Sequence, residues 1–216
     1  MEVRFTKHFF TVLVVFVLLL FLSGFILGRV TQKTQLSDVD SFLKQSDLKL
    51  QSYVLEQYFL EEFDTSVCSV SRERLQDLAT QLGTIGRQLA RDDTLDQIPP
   101  IEYDYLKRNY HLTQIRFYLQ SKQLKEECGL DPNVILFFYN PDDAASTAQG
   151  LILDELVEEL GITVLAVQAK YSDDIAFIES HFDLEKTPTL IIDYNSKLEG
   201  YKTLDELRSY MAARTA

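Results

Sequence analysis

The chain has 216 residues and a formal net charge of −12, which is length enough for one ordinary domain with extensions. The negative charge disfavours nucleic acid and anionic lipid as partners, because both present phosphate groups that acidic surfaces repel. The sequence has no phosphate-binding loop, dinucleotide fingerprint or nucleophile elbow, and its three histidines lack zinc-ligand spacing. We therefore predict no cofactor, no metal and no nucleic-acid partner.

An uncharged apolar segment, residues 9–27, lies near the start of the chain. About 20 apolar residues cross the hydrocarbon core of a bilayer, so the segment predicts an uncleaved transmembrane helix within a unit of residues 1–30. A cleaved signal peptide is the alternative, but its apolar region is shorter and its cleavage site is clearer. The basic residues are nearly balanced across the segment. The short N-terminal tail therefore decides the orientation. We predict a single-pass protein of the cell membrane, with Met1 in the cytoplasm and Ala216 outside.

Residues 31–130 form a predicted helical stem of three helices. The first helix, about residues 38–63, has a broad apolar stripe. The second begins near residue 69 and carries a heptad seam from Leu75 to Leu89. The seam is too short to specify a free coiled coil, so packing within the chain is favoured and self-association of the stem is the alternative.

The third helix covers about residues 102–128 and ends before Gly129, a residue type typical of helix C-termini. A short loop joins the second and third helices, which favours antiparallel packing. Cys68 at the start of one helix then meets Cys128 at the end of the other. We predict a structural disulfide between them, and the alternative is that they form a redox pair.

Residues 131–216 form a predicted α/β domain. Residues 133–139 read as a strand that is apolar on both faces, and a helix over 144–160 follows it. A second buried strand, a short helix, an antiparallel strand pair and a closing helix complete the order βαβαββα. Thr203 is the expected N-cap of the closing helix.

This order and three local motifs give the domain its resemblance to a known family. Two residues separate Gln149 and Gly150 from a turn that reads Asp143-Ala144-Ala145-Ser146, and Thr187–Pro188 precedes a strand. In these features the domain resembles thioredoxin-like proteins of the membrane-anchored archaeal type. The resemblance implies that Pro188 is a cis-proline. It also implies that Asp143 and Ser146 stand where the family has the two cysteines of its Cys-x-x-C motif.

The departure lies where the family has its chemistry, because thiol–disulfide exchange needs an attacking thiolate and a resolving thiol. A carboxylate at Asp143 suits a helix N-terminus but cannot attack a disulfide, and the Ser146 hydroxyl cannot resolve one. In active relatives the cis-proline lines a groove that takes an extended peptide. The resemblance therefore implies a peptide groove at Asp142, Asp143, Thr187 and Pro188.

The sequence as a whole predicts a membrane-anchored, redox-inactive thioredoxin-like protein that binds or scaffolds another protein outside the cytoplasm. The first alternative is a thiol–disulfide oxidoreductase that uses Cys68 and Cys128. A second alternative, a hydrolase or metal enzyme, has only the paired acids Asp142 and Asp143 in its support. Such pairs at a helix start usually serve as caps that offset the helix dipole.

Overall fold

The computed structural model describes residues 67–90 and 99–215, together with separate short stretches between residues 9 and 58. The predicted first stem helix, about residues 38–63, falls mostly outside the described residues. The described positions within it are helical.

The predicted transmembrane helix is wrong. No helix in the described part of the chain has both the length and the apolar character needed to span a bilayer. The described positions of residues 9–27 are helical and exposed. Apolar composition is needed for a membrane-spanning helix, but it does not by itself establish one.

Two long helices, α1 (Val67–Leu89) and α2 (Pro100–Cys128), form an antiparallel pair. Pro100 suits the first helical position, where a missing N–H costs nothing. Gly129 ends α2 in the left-handed region at φ 65°, and its N–H bonds back to the carbonyls of the last turn. The start of α1 and the end of α2 are joined by the Cys68–Cys128 disulfide, with their Cα atoms 5.7 Å apart. The predicted disulfide is confirmed.

The heptad seam of α1 packs inside the chain. Leu78 and Ile85 are buried, and Leu75 and Leu82 pack against the core beneath the sheet. The favoured interpretation of the seam is thus confirmed. Self-association through the same face stays a prediction.

A four-stranded mixed sheet forms the centre of the C-terminal region, with strand order β2-β1-β3-β4. Strands β1 and β2 are parallel, and the other two neighbouring pairs are antiparallel. The predicted βαβαββα order is confirmed. The elements are β1 (Val134–Tyr139), α3 (Ala144–Leu160), β2 (Thr163–Gln168), a 3₁₀ turn (Asp173–Ile175), α4 (Ala176–His181), β3 (Thr189–Ile192), β4 (Ser196–Glu199) and α5 (Leu204–Thr215).

Helices cover both faces of this sheet. On one face, α3 and α5 pack against side chains such as Phe137 and Leu190. On the other, α1 and α2 contribute Leu78 and Tyr118 to a core that includes Phe138. The hydrophobic core therefore continues across residue 130, where the sequence placed a domain boundary. The division into units of 1–30, 31–130 and 131–216 stays a prediction.

Thr203 caps the last helix, as predicted. Its hydroxyl accepts from the Glu206 N–H at 3.3 Å, while the Glu206 carboxylate accepts from the Thr203 N–H at 2.7 Å. This reciprocal pair is a capping box, which satisfies two N–H groups at the start of α5.

Candidate functional site

The candidate site lies at the end of the sheet where β1 stops and β3 begins. Phe138 near the end of β1 is paired with Thr189 at the start of β3. The turn after β1, residues 140–143, and the Thr187–Pro188 segment before β3 therefore emerge at the same end of the sheet. The register thus brings together the two loops that the sequence analysis assigned to a peptide groove.

Asp143 is the N-cap of α3. Its carboxylate accepts from the N–H of Ala145 at 3.1 Å and from the N–H of Ser146 at 3.1 Å. Its backbone is extended, with φ −108° and ψ 117°, which is the usual conformation of an N-cap residue. The carboxylate predicted at an attacking-cysteine position thus satisfies the first free donors of the helix.

Ser146 is buried in the first turn of α3, with only 2% of its surface exposed. Its hydroxyl donates to Asp143 Oδ2 at 2.9 Å and accepts from the Asn140 N–H at 3.1 Å. In both roles it joins the turn to the helix. The one base among its described partners is the Asp143 carboxylate, which caps the helix and has a lowered pKa, so it is too weak a base to activate Ser146 as a nucleophile.

The pKa of the Asp143 carboxyl is lowered from its ordinary value. The largest cause is the hydrogen bond from the Ser146 hydroxyl, followed by the N–H of Ala145. These donors stabilise the carboxylate form, so Asp143 is ionised at neutral pH. A group with a lowered pKa suits a fixed cap and does not suit a general acid at pH 7.

Asn140 organises the turn, and the sequence analysis missed it. Its carbonyl accepts from the Asp143 N–H at 3.1 Å, and its side-chain Oδ1 accepts from the Asp142 N–H at 3.1 Å. The signal was present in the sequence, since Asn followed by Pro and Asp after a strand favours an Asx turn. Asp142 itself is exposed, so the adjacent acids differ in role. One caps the helix and the other lies on the surface.

The peptide bond between Thr187 and Pro188 is cis, as the resemblance implied. Pro188 is buried and Thr187 is half-buried. The Pro188 carbonyl accepts from the N–H of Gly200 at 2.8 Å, which joins this segment to the end of β4. The Thr189 hydroxyl donates to the Lys186 carbonyl at 2.8 Å. The segment is therefore fixed on both sides.

Gln149, the first residue of the predicted Gln-Gly pair, is buried within α3. Its side-chain Oε1 accepts from the Lys202 N–H at 2.7 Å. This bond joins the first half of α3 to the segment that leads into α5. The role of Gln149 in this chain is thus to hold two elements of the fold together.

The two cysteines lie at the opposite end of the sheet from the candidate site. Lys125, three residues before Cys128, forms an ion pair with Asp131 at 2.6 Å and a second ion pair with Asp193. Asp131 precedes β1 and Asp193 lies in the β3–β4 loop, so this end of α2 lies where β1 begins. The turn at Asp143 follows β1, whose six residues span about 20 Å.

Among the described residues, no group of three or more His, Cys, Asp or Glu side chains is arranged to hold a metal ion. Of the two described histidines, His181 is exposed and His111 is buried in α2. Its Nδ1 lies 3.2 Å from Gln114 Oε1, and desolvation lowers its pKa to about 4. Tyr171 packs edge-on against its ring. His111 therefore belongs to the core and not to the candidate site.

No family model matches the chain, and no curated protein matches it. Among solved structures, the chain is similar to a malarial protein at 20% identity over 40% of this chain and 100% of that chain, with a TM-score of 0.36. It is similar to a chloroplastic thioredoxin z at 15% identity over 40% of this chain and 80% of that one, with a TM-score of 0.34. It is also similar to thioredoxin-2, a component of the malaria parasite protein secretion machinery, at 19% identity over 39% of this chain and 85% of that one, with a TM-score of 0.34.

The C-terminal region of the chain has a thioredoxin-like fold. The assignment rests on the chain's own βαβαββα order, its mixed sheet β2-β1-β3-β4 and the cis bond before Pro188. The archaeal type stays an expectation from the resemblance, and the transmembrane helix that was predicted with it is corrected above.

Proposed function

We propose that this chain is a redox-inactive thioredoxin-like protein that binds an extended polypeptide at the groove between the β1–α3 turn and the Thr187–Pro188 segment. The observation that carries the proposal is the state of the two cysteine positions. Asp143 and Ser146 bond to each other and to the N–H groups of the turn and the helix. Neither group is a thiol, and thiol–disulfide exchange requires one.

Retention of the rest of the site supports a binding role. The turn, the start of α3 and the cis Thr187–Pro188 bond are all present although the thiols are not. A non-catalytic module would need this surface for contact alone. The exposed carboxylate of Asp142 beside the ionised Asp143 makes the surface acidic. The partner segment that fits it best is extended and neutral or basic.

The competing function, thiol–disulfide exchange by Cys68 and Cys128, has less support. The pair closes α1 onto α2 at the start of β1, about 20 Å from the groove. A redox pair that acted on a bound polypeptide would need to lie beside it. A disulfide that fixes two helix ends against a sheet is typical of a structural bond.

The same disulfide supports a proposal about location. Disulfides persist in oxidising compartments and are rare where glutathione and thioredoxin keep thiols reduced. We therefore propose that the described domain resides outside the cytoplasm.

The experiment is a binding measurement with an unfolded polypeptide probe, the reduced and alkylated insulin B chain, and the purified full-length protein. Replacing Thr187 by Tyr places a bulky side chain in the proposed groove and should weaken binding about tenfold. The matched control is Ser180→Tyr, which adds the same ring to an exposed position on α4. Equal binding by the two variants and the parent would contradict the groove. So would the absence of binding by the parent.

A further inference from the structure

Strand β2 forms one outer edge of the sheet, and half of its backbone groups point away from it. The N–H of Thr163 donates to the Asn133 carbonyl at 3.0 Å, and the N–H of Ala169 donates to the Tyr139 carbonyl at 2.9 Å. In a parallel pair, alternate residues bond to the same neighbour. The odd-numbered residues of β2 therefore face β1, and the even-numbered ones direct their N–H and C=O groups outward. These are Val164, Ala166 and Gln168, each half-buried and with no described backbone partner on the outer side.

The two edges of this sheet are built differently. Strand β4, at the other edge, has four residues, and Lys197 and Glu199 form an ion pair on it at 2.9 Å. Charged side chains on a short strand are a common protection against pairing with another chain. Strand β2 has six residues in unbroken register with β1 and contains no charged residue. Within residues 99–215, β2 is thus the edge that lacks this protection.

An apolar groove of about 440 Å³ runs beside this edge, between β2 and α3. Val164 and Ala166 line it from the strand, and Leu153 and Val157 line it from the helix. The outward backbone groups and the groove belong to the same residues of β2. An added strand that paired with Val164 and Ala166 would therefore place every second side chain over the groove.

The rim of the groove is acidic. Asp154 lines it, and Glu158 follows four residues later on the same side of α3, with both side chains exposed. The full chain also carries a net charge of −12. Two copies meeting at this edge would bring like charges together, whereas a segment with basic residues at its ends would be attracted.

We propose that the β2 edge is a second protein-binding site, separate from the groove at Pro188, and that it takes an extended segment of a partner protein as an added strand. The segment has small apolar side chains at alternate positions over the groove and basic residues at its ends. Backbone hydrogen bonds to Val164, Ala166 and Gln168 hold it. The charges of Asp154 and Glu158 select it over acidic segments.

The test uses a nine-residue synthetic peptide with valines at alternate central positions, threonines between them and two lysines at each end. A second peptide with glutamates in place of the lysines is the charge control. Binding to the full-length protein is measured by fluorescence anisotropy. Amide hydrogen exchange of Val164, Ala166 and Gln168 is followed by NMR. The basic peptide should bind and slow exchange at these three amides, and the acidic peptide should bind at least about tenfold more weakly.

The variant that decides the mode of binding is Ala166→Pro. The N–H of Ala166 points outward, so a proline at this position removes a hydrogen-bond donor to the added strand and leaves the hydrogen bonds to β1 in place. Affinity for the basic peptide should fall about tenfold. The matched control is Lys197→Pro on β4, where the N–H also points outward because the Gly200 N–H points to β3. This control should bind the peptide like the parent.

A charge variant keeps the proposal testable if proline perturbs folding. Asp154→Lys should weaken binding of the basic peptide and strengthen binding of the acidic peptide. The control is Glu185→Lys, which introduces a lysine in place of an acid at an exposed loop position and should alter the binding of neither peptide. Equal binding of the two peptides or an unaffected Ala166→Pro variant would overturn the proposal. So would protection of the three amides in the free protein, which would mean that the chain itself or a second copy already covers the edge.

Discussion

The two ends of strand β1 are held in different ways. Before β1, a covalent bond between Cys68 and Cys128 and the ion pair of Lys125 with Asp131 fix α2 against the start of the sheet. After β1, the hydrogen bonds described for the turn are short-range ones among Asn140, Asp143 and Ser146. The first end joins residues far apart in sequence, and the second joins neighbours. We infer that the first end contributes most to stability and that the second end keeps a surface in shape for binding.

The largest expected effect comes from removing the disulfide. Replacing Cys68 and Cys128 together by Ser should lower the free energy of unfolding by about 4 kcal/mol, because the bond closes a loop across a sequence separation of 60. Chemical denaturation of parent and variant under non-reducing conditions measures it. An unchanged midpoint would show that the first end of β1 does not depend on the bond.

The second-largest expected effect is a pH dependence of the folding stability, which arises from His111 in α2. The pKa of His111 is about 4 in the folded chain and about 6.5 when unfolded. The unfolded chain therefore binds more protons between these values. Stability should fall as pH drops from about 6.5 to about 4, by about 3 kcal/mol in total.

Replacing His111 by Gln should remove this part of the loss of stability at low pH. The comparison is between the unfolding free energies of parent and variant measured at pH 7 and at pH 4.5. Lys107, Gln114 and Tyr171 face His111 and remain in both proteins. The same loss of stability in parent and variant would assign the pH dependence to other groups.

A smaller effect is expected at the second end of β1. Ser146→Ala removes a buried hydroxyl that joins Asn140 to Asp143, which should cost about 1 kcal/mol in the free energy of unfolding. Ser180→Ala at an exposed position is the control and should cost nothing measurable. A loss at Ser146 as large as that from removing the disulfide would reverse the proposed ranking of the two ends.

The smallest effect separates the two adjacent acids. Asp143→Ala should lower the melting temperature by roughly 2–4 °C because it removes the N-cap of α3. Asp142→Ala should leave it unchanged, because the side chain of Asp142 is exposed. Since the pKa of Asp143 is lowered, its contribution is present above about pH 4 and is lost as pH falls through the folded pKa. Thermal melts at pH 7 and pH 3 check both statements, and an equal loss from the two variants would contradict them.

Much of the C-terminal fold could be predicted because its signals are local. An apolar run such as residues 133–139 identifies a covered strand, and Gly129 ends a helix wherever that helix packs. The cap at Asp143 followed from the same kind of signal, and each of these features depends on the residues next to it in sequence. The cis bond before Pro188 was instead implied by the family resemblance.

The role of α2 could not be predicted, because an apolar helix face does not identify the element that covers it. α2 lies between α1 and the sheet, so polar side chains such as His111, Gln114 and Ser121 are buried beside its apolar ones. Leu119, an apolar residue of the same helix, is 46% exposed. The apolar run of residues 9–27 was misleading, because apolar composition is needed for a membrane-spanning helix but does not by itself establish one.

The most direct test of the central claim is a thiol-driven insulin reduction assay on the full-length protein. We predict that the parent and the variant with both Cys68 and Cys128 replaced by Ser give only the uncatalysed rate. Restoring thiols at the turn, with Asp143→Cys and Ser146→Cys together, should raise the rate above that background, because the helix start and Pro188 remain in place. Clear activity in the parent that disappears when Cys68 and Cys128 are replaced would contradict the account and identify that pair as the redox centre.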